Sequence, residues 1–247
     1  GIVGAGGAGF PTHVKINSQV DLVIANGTEC EPLLCSDRLL MEKRAKDVVI
    51  GLAAVMVASG AQKGIIAIKE YYHQADQILS QAICGHPQLS ILKVGNYYPA
   101  GDEQVLVYEA CQKIVPEGGI PLDVGVLVQN VTTLSQVADA LKDKPVTHKL
   151  VTVHGEVAQP TVINTPIGTP FSHLISLCGG SKVRNWTALD GGPVMGQIAG
   201  LDGIEDYVSK TTSGIIVLPQ EHHAVKMKRL TPAEQLNRAR SSCDGCR

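Results

Sequence analysis

Residues 21–69, DLVIANGTECEPLLCSDRLLMEKRAKDVVIGLAAVMVASGAQKGIIAIK, hold an apolar run, a long helical pattern and a second apolar run. Asp21–Asn26 (DLVIAN) and Gly64–Lys69 (GIIAIK) are short, rich in β-branched residues and almost continuously apolar. That is the pattern of strands buried on both faces of a parallel sheet. The segment between them predicts a helix over Asp37–Ser59, with Ser36 as its N-cap and Gly60 just past its end. The alternation continues outward. Leu89–Val94 (LSILKV) and Val124–Asn130 (VGVLVQN) read as further strands, and Ala75–Ile83 and Glu103–Lys113 as helices. Thr133-Leu134-Ser135-Gln136 has capping-box spacing and opens a helix running to about Leu141. Residues 1–145 therefore read as a doubly wound α/β domain with a parallel sheet.

The pattern changes after Lys142-Asp143-Lys144-Pro145. Strands at Leu150–Val157 and Thr161–Asn164, a helix at Phe171–Leu177 and a strand at Trp186–Leu189 make residues 146–200 a small α+β module of the β-grasp kind. Residues 201–247 hold a returning strand, Gly214–Leu218, and a helix opened by Thr231-Pro232. The chain of 247 residues and 26.1 kDa is long enough for one to two domains. Its 44% apolar and 18% charged residues are ordinary for a packed core. Its net charge of −2 lacks the clustered cationic footprint of a nucleic-acid binder. Val48–Ser59, the longest nearly uncharged apolar stretch, is shorter than the ~20 residues a membrane helix needs. Seven irregularly spaced cysteines point to reduced thiols in the cytoplasm rather than a disulfide framework. The chain carries no signal-peptide pattern but opens inside a glycine motif, so further residues are expected before Gly1.

That motif, Gly4-Ala5-Gly6-Gly7-Ala8-Gly9-Phe10-Pro11-Thr12, lets backbone come within contact distance of a ligand, and its N–H groups can cradle a phosphate or a flat ring. It is not a standard dinucleotide fingerprint, which needs a strand before and a helix after, whereas here Pro11 follows at once. Glu29-Cys30-Glu31-Pro32 lies just past the first strand, where open α/β sheets bind ligands. Asn26 and Asn130 end two strands and can converge on one crevice. Tyr98-Pro99-Ala100-Gly101-Asp102-Glu103 follows the third strand and opens a helix, a place for an anion or sugar phosphate. Cys243-Asp244-Gly245-Cys246 is a C-x-x-C that can begin an iron–sulfur run or stand as a dithiol. His222-His223 reads as a solvated turn, because adjacent side chains point apart.

Taken in order, GAGGAGFPTHVK, NGTECEP with Asp37-Arg38 downstream, YPAGDEQ and PEGGIPLDVGVLVQNVTT resemble the C subunit of the Rnf electron-transport complex and, more distantly, the NADH-binding flavoprotein subunit of respiratory complex I. HGEVAQP, NTPIGTP and DGGPVMG resemble a soluble-ligand-binding β-grasp domain. The final stretch, LTPAEQLNRARSSCDGC, looks most like the cobalamin (corrin) reductases of propanediol-utilisation microcompartments. The resemblance implies FMN held non-covalently, NADH as hydride donor, and [4Fe–4S] clusters in a ferredoxin-like region of the full-length protein. By the resemblance, Gly4, Gly6, Gly7, Ala8, Gly9 and Phe10 line the flavin–nicotinamide cleft and Lys15 contacts the flavin. Asn26, Glu29 and Glu31 frame the cleft; Tyr98, Gly101, Asp102 and Glu103 supply a third loop; Asn130 and Thr133 hold ribityl or phosphate oxygens; and Cys243 and Cys246 are part of a cluster ligand set. Ala5 stands where the complex I pattern has Arg, Ile16 and Asn17 where it has aromatics, Thr28 in place of an acidic residue and Gln129 in place of an asparagine. These exchanges weaken the expected grip on the adenosine half of NADH.

The expected function is an enzyme, an NADH-dependent FMN oxidoreductase that passes single electrons through iron–sulfur clusters to an acceptor. By the resemblance the acceptor is cobalamin or a corrinoid-bearing protein, with other microcompartment proteins as neighbours. The alternatives are an Rnf-type subunit passing electrons between NADH and ferredoxin, and a non-enzymatic docking scaffold with a vestigial flavin crevice. Hydride transfer between rings needs no acid–base residue.

Overall fold

The computed structural model describes residues 1–200, 205–243 and 245. Strands β1 (Leu22–Gly27), β2 (Lys63–Lys69), β3 (Leu89–Val94) and β4 (Val126–Asn130) pair in parallel in the order β3-β2-β1-β4. Around them run α1 (Thr12–Ile16), α2 (Ser36–Ser59), α3 (His73–Ala82), α4 (Glu103–Cys111) and α5 (Val131–Ala140). The side-chain period of two sorts the apolar runs onto two faces. Val23, Ala25, Ile66, Ile68 and Leu127 bury against α2, α3 and α5. Leu22, Ile24, Ala67, Val126 and Val128 bury with Leu106 and Val107 of α4. Runs this apolar are the signature of a sheet covered on both sides, and the domain is doubly wound as its sequence predicts.

Two helix starts differ from expectation. Cys35, not Ser36, occupies the N-cap of α2, and no side chain of its own caps the helix. Asn130, not Thr133, caps α5, its Oδ1 accepting from the Thr132 and Thr133 amides at 2.9 and 3.3 Å. The capping-box spacing misled because the last residue of β4 is itself a better cap than a threonine already inside the helix. Pro11 does not prevent a helix: it stands at the N-cap of the five-residue α1, where a missing amide costs nothing. Gly60 ends α2 with φ +73°, as its sequence position implies.

The second module holds β5 (His148–Gly155), β6 (Thr161–Pro166), α6 (Phe171–Leu177), β7 (Trp186–Asp190), β8 (Gln197–Ile198) and β9 (Gly214–Pro219). Its sheet order is β6-β5-β9-β7-β8, with only the β5–β9 pair parallel. The returning strand β9 is thus central, so a boundary at residue 200 cuts through this sheet. Distance in sequence hid that pairing. Val151, Val153, Ile215 and Val217 face Phe171, Leu174 and Ile175 of α6, while Ile216 and Leu218 turn to Val225 of α7 (His223–Lys228). His222 is exposed and closes a turn, its amide donating to the Pro219 carbonyl at 2.9 Å, and it also caps α7, its Nδ1 accepting from the Ala224 amide at 3.2 Å. The last helix, α8 (Pro232–Ser242), starts with a Thr231/Glu234 capping box. Among the described residues no helix is long and apolar enough to cross a membrane.

Helix α2 is kinked at Arg44 (φ −131°, ψ 30°), whose guanidinium grips both Asp139 oxygens at 3.0 and 2.9 Å and Asp47 at 3.0 Å. Above the kink α2 crosses α5 so closely that a Cβ on Gly51 would run into the Leu134 carbonyl. A helical Gly→Ala change ordinarily stabilises, by about 0.5–1 kcal/mol. Gly51→Ala is expected to do the opposite and lower stability by about 1–3 kcal/mol, since it forces two packed helices apart. Denaturant unfolding of the variant checks this; a gain in stability would show that the crossing is looser than described.

Candidate functional site

Strand β1 is flanked by β2 on one side and β4 on the other, so the chain reverses direction across the sheet between β1 and β4. The crevice beyond the carboxyl ends of strands at such a reversal is where open α/β sheets take ligands. The glycine loop lies there. It closes on itself through Gly4 N–H to Phe10 O (2.9 Å) and Gly9 N–H to Gly4 O (3.0 Å). The Ala5 amide donates to Thr133 Oγ1 at 2.9 Å. Gly6 faces Asn130, whose Nδ2 would stand 3.1 Å from an added Cβ. Gly7, at φ +113°, faces open space, and Gly6, Gly7, Ala8 and Phe10 are exposed.

The polar residues named for this crevice hold its walls together. Asn130 Nδ2 donates to Asp37 Oδ2, and Thr132 Oγ1 to Asp37 Oδ1, both at 2.7 Å. Asn26 Nδ2 donates to the Gly101 carbonyl at 2.8 Å, and its Oδ1 accepts from Thr28 Oγ1 at 2.7 Å. The Gly101 amide donates to Cys30 Sγ at 2.7 Å. Gly101 has no room for a side chain, because a Cβ would strike Thr28 Oγ1 and Cys30 Sγ. Lys15 of α1 reaches Glu103 of α4 at 2.8 Å, an ion pair across the crevice. Asp102 caps α4, accepting from the Gln104 and Val105 amides at 2.9 and 3.2 Å, so two of that helix's free amides are already taken. Tyr98 stands half exposed on the same loop.

Glu29 and Glu31 point elsewhere than a bare strand end suggests. Glu29 caps α2: its carboxylate accepts from Ser36 Oγ (3.0 Å) and from the Asp37 and Arg38 amides (3.1 and 3.3 Å). Burial, then the negative charge of Asp37, pushes its carboxyl up to about 7. Burial likewise raises Asp37, against the opposing hydrogen bonds from Thr132 and Asn130. Glu31 reaches the second module, accepting from the Val194 and Met195 amides at 2.9 and 2.6 Å, within the DGGPVMG turn. Leu34 packs beside Ile216 and Leu218, and the Cys35 amide donates to Thr152 Oγ1 at 3.2 Å. The loop after β1 is therefore both crevice wall and domain junction.

Asp37 and Thr132 brace the loop wall through Asn130, a role that the Asp37-Arg38 motif and the residues after β4 do not reveal locally. Among the described residues, Thr12 Oγ1 and Gln129 Oε1 are buried with no hydrogen-bond partner. Cys243 is exposed at the end of α8, and Cys246 lies outside the described residues. Among the described residues no three His, Cys, Asp or Glu side chains gather as a metal-binding group.

Residues 1–139 match the family described as the Nuo51 FMN-binding domain, and residues 150–197 match the SLBB domain. The chain is 39% identical over its whole length to cobalamin reductase PduS of Citrobacter freundii, of which it covers 54%. It is 38% identical, over 90% of its length, to the C subunit of the Na(+)-translocating ferredoxin:NAD(+) oxidoreductase complex of Acetobacterium woodii, covering 51% of that protein. The chain thus spans about half the length of the curated relatives it matches. In fold it resembles a chain of the NAD+-reducing [NiFe]-hydrogenase in its H2-reduced state, with a TM-score of 0.74 at 23% identity over 90% of this chain and 45% of that one. With more than half its residues inside the matched region and the glycine loop seated at the sheet's reversal point, this chain belongs to the Nuo51 FMN-binding domain family, followed by an SLBB domain.

Proposed function

We propose that this chain binds FMN in the crevice between the glycine loop, β1 and β4, accepts NADH over it, and serves an oxidoreductase whose electrons end on a corrinoid. The observation that carries the reading is the crevice itself: a loop with exposed, side-chain-free backbone at Gly6 and Gly7, seated where the strand order of the sheet reverses. A flat heteroaromatic ring with a polar edge fits a slot walled by bare glycine backbone. When bound, FMN supplies a ring that takes two electrons as hydride and gives them up singly. The protein's part is orientation and exclusion of water. Gly4, Gly6, Gly7, Ala8, Gly9 and Phe10 form one wall of the slot. Lys15 and Glu103 bridge its mouth. Asn26, Gly101 and Tyr98 line the opposite side, and Asn130 and Thr133 hold the loop against α5. Glu29 and Glu31 act through the structures they hold, the start of α2 and the DGGPVMG turn.

The corrinoid acceptor, residence in a microcompartment and association with other microcompartment proteins rest on the 39% identity to cobalamin reductase PduS. A ferredoxin acceptor is the second reading, supported by the 38% identity to the C subunit of the ferredoxin:NAD(+) oxidoreductase complex. Cys243 is the one described thiol of the C-x-x-C, whereas a [4Fe–4S] cluster takes four, so the described residues do not provide a cluster site.

Heat-denatured holoprotein is expected to release FMN, identified by chromatography; FAD, or no uptake of FMN by the apoprotein, contradicts the reading. In the intact polypeptide, NADH-driven reduction of cob(III)alamin should outpace that of ferredoxin, and the reverse order moves the assignment to the second reading.

Glu103→Gln should leave the thermal midpoint nearly unchanged, because a pair this exposed contributes under about 1 kcal/mol. Anaerobic stopped-flow should show flavin reduction by NADH slowed about tenfold to a hundredfold, the size of a lost charged hydrogen bond. Equal rates in variant and parent would remove Glu103 from the site.

Glu29 makes stability depend on pH. Its carboxyl titrates near 7 in the fold and near 4.5 when free, so the folded state holds a proton that the unfolded chain releases. This group's contribution therefore declines as pH rises from about 4.5 to about 7. Relative to the parent, Glu29→Gln should gain about 2–3 kcal/mol between pH of about 5 and about 8, read from denaturant melts at each pH. A stability difference that stays constant with pH counts against the shifted carboxyl.

A further inference from the structure

Lys149 sits in β5 of the second module and is 3% exposed, yet among the described residues no carboxylate forms an ion pair with its ammonium. Nζ donates instead to the carbonyls of Ala5, in the glycine loop, and of Lys210, in the segment before β9 (2.8 Å to the latter). Ala5 is itself 2% exposed, and its amide donates to Thr133 Oγ1. Both backbone polar groups of this one residue are therefore held by side chains from different domains: the amide by α5, the carbonyl by β5. Among the described residues these are the two side chains that hydrogen-bond to the backbone of residues 4–9. An ammonium is a strong donor to carbonyl oxygen because the bond is charge-assisted. Removing it would leave a buried carbonyl without its partner.

The geometry points to Lys149 as a positioning residue for the flavin crevice: through this ammonium the second module sets the shape of the glycine loop that receives the cofactor. Flavin affinity then depends on a side chain outside residues 1–139. This rests on the flavin reading of the crevice, although the hold on the loop exists without any ligand. The charged groups facing Lys149 are Asp37 of α2, with Glu29 beside it, and Asp190 of β7, with Asp206 beside it. The Lys210 ammonium turns away to the Gly1 carbonyl. Burial lowers Lys149 to about 8 while the two aspartates oppose that shift, so the charge that grips the loop is lost just above neutral pH.

The test uses the full chain and Lys149→Met, with FMN as the probe. Two quantities are read across pH of about 7 to 9.5: the FMN dissociation constant by fluorescence quenching, and amide hydrogen exchange of residues 1–11 without flavin. The parent should lose affinity and gain exchange in residues 4–9 as pH passes about 8. Lys149→Met should bind FMN about tenfold to a hundredfold more weakly at neutral pH, show the raised exchange throughout, and lose the pH dependence of both. A variant that keeps the parent's affinity, its loop exchange or its pH profile overturns the proposal. If the variant does not fold, a parent whose affinity and loop exchange stay flat through this range overturns it as well. If the parent binds no FMN, the flavin reading fails, and the exchange measurement alone decides whether Lys149 holds the loop.

Discussion

The buried cluster around Asp37 carries the crevice. One carboxylate accepts from Asn130 and Thr132, and through Asn130 it fixes the first turn of α5. That turn presents Thr133 to the amide of Ala5. A carboxylate in such surroundings is costly to bury, and burial raises its pKa against the hydrogen bonds that oppose it. The cost falls on one residue, and the return is rigidity where β1, β4, α2 and the glycine loop meet. A backbone that must lie flat against a ring needs its peptide planes fixed, since a loop of small residues has little else to restrain it.

The same region joins the two domains. Glu31 holds the DGGPVMG turn, Leu34 enters the second core, the Cys35 amide meets Thr152, and Lys149 reaches back to Ala5. The loop after β1 is short and lies at the carboxyl edge of the sheet, where loops of open α/β domains are free to carry function. Here its residues are spent largely on structure, and the surfaces left open are the glycine backbone, Phe10 and Tyr98. The second module is thus part of the crevice's support rather than a neighbour tethered by a linker.

The strands of the first domain were readable because each is an apolar run in which both alternate faces are covered, a pattern that hydrophobicity alone reveals. Helix ends were less so. The Thr133 spacing and the Ser36 hydroxyl are real capping signals, but Asn130 wins locally as the residue just before α5, and Glu29 wins because the folding of its loop brings a carboxylate to the start of α2. The glycine-rich loop and the strand ends were legible in the sequence, whereas the partners of the carboxylates beside them were not. Glu29 and Glu31 sit two residues apart, yet one caps a helix and the other docks a second domain.

Chain periodicity by itself determined the four strands of the first domain and the helices between them, because those depend on near neighbours and on which side chains avoid water. Tertiary structure alone decided that β9 lies in the middle of the second sheet, that α2 must carry glycine at residue 51 where it crosses α5, and that a lysine 144 positions from Ala5 grips its carbonyl. Each of these is a pairing between residues far apart in the chain. Hydrogen bonds and close packing at such distances are set by how whole elements dock, and no local pattern of residues encodes the partner.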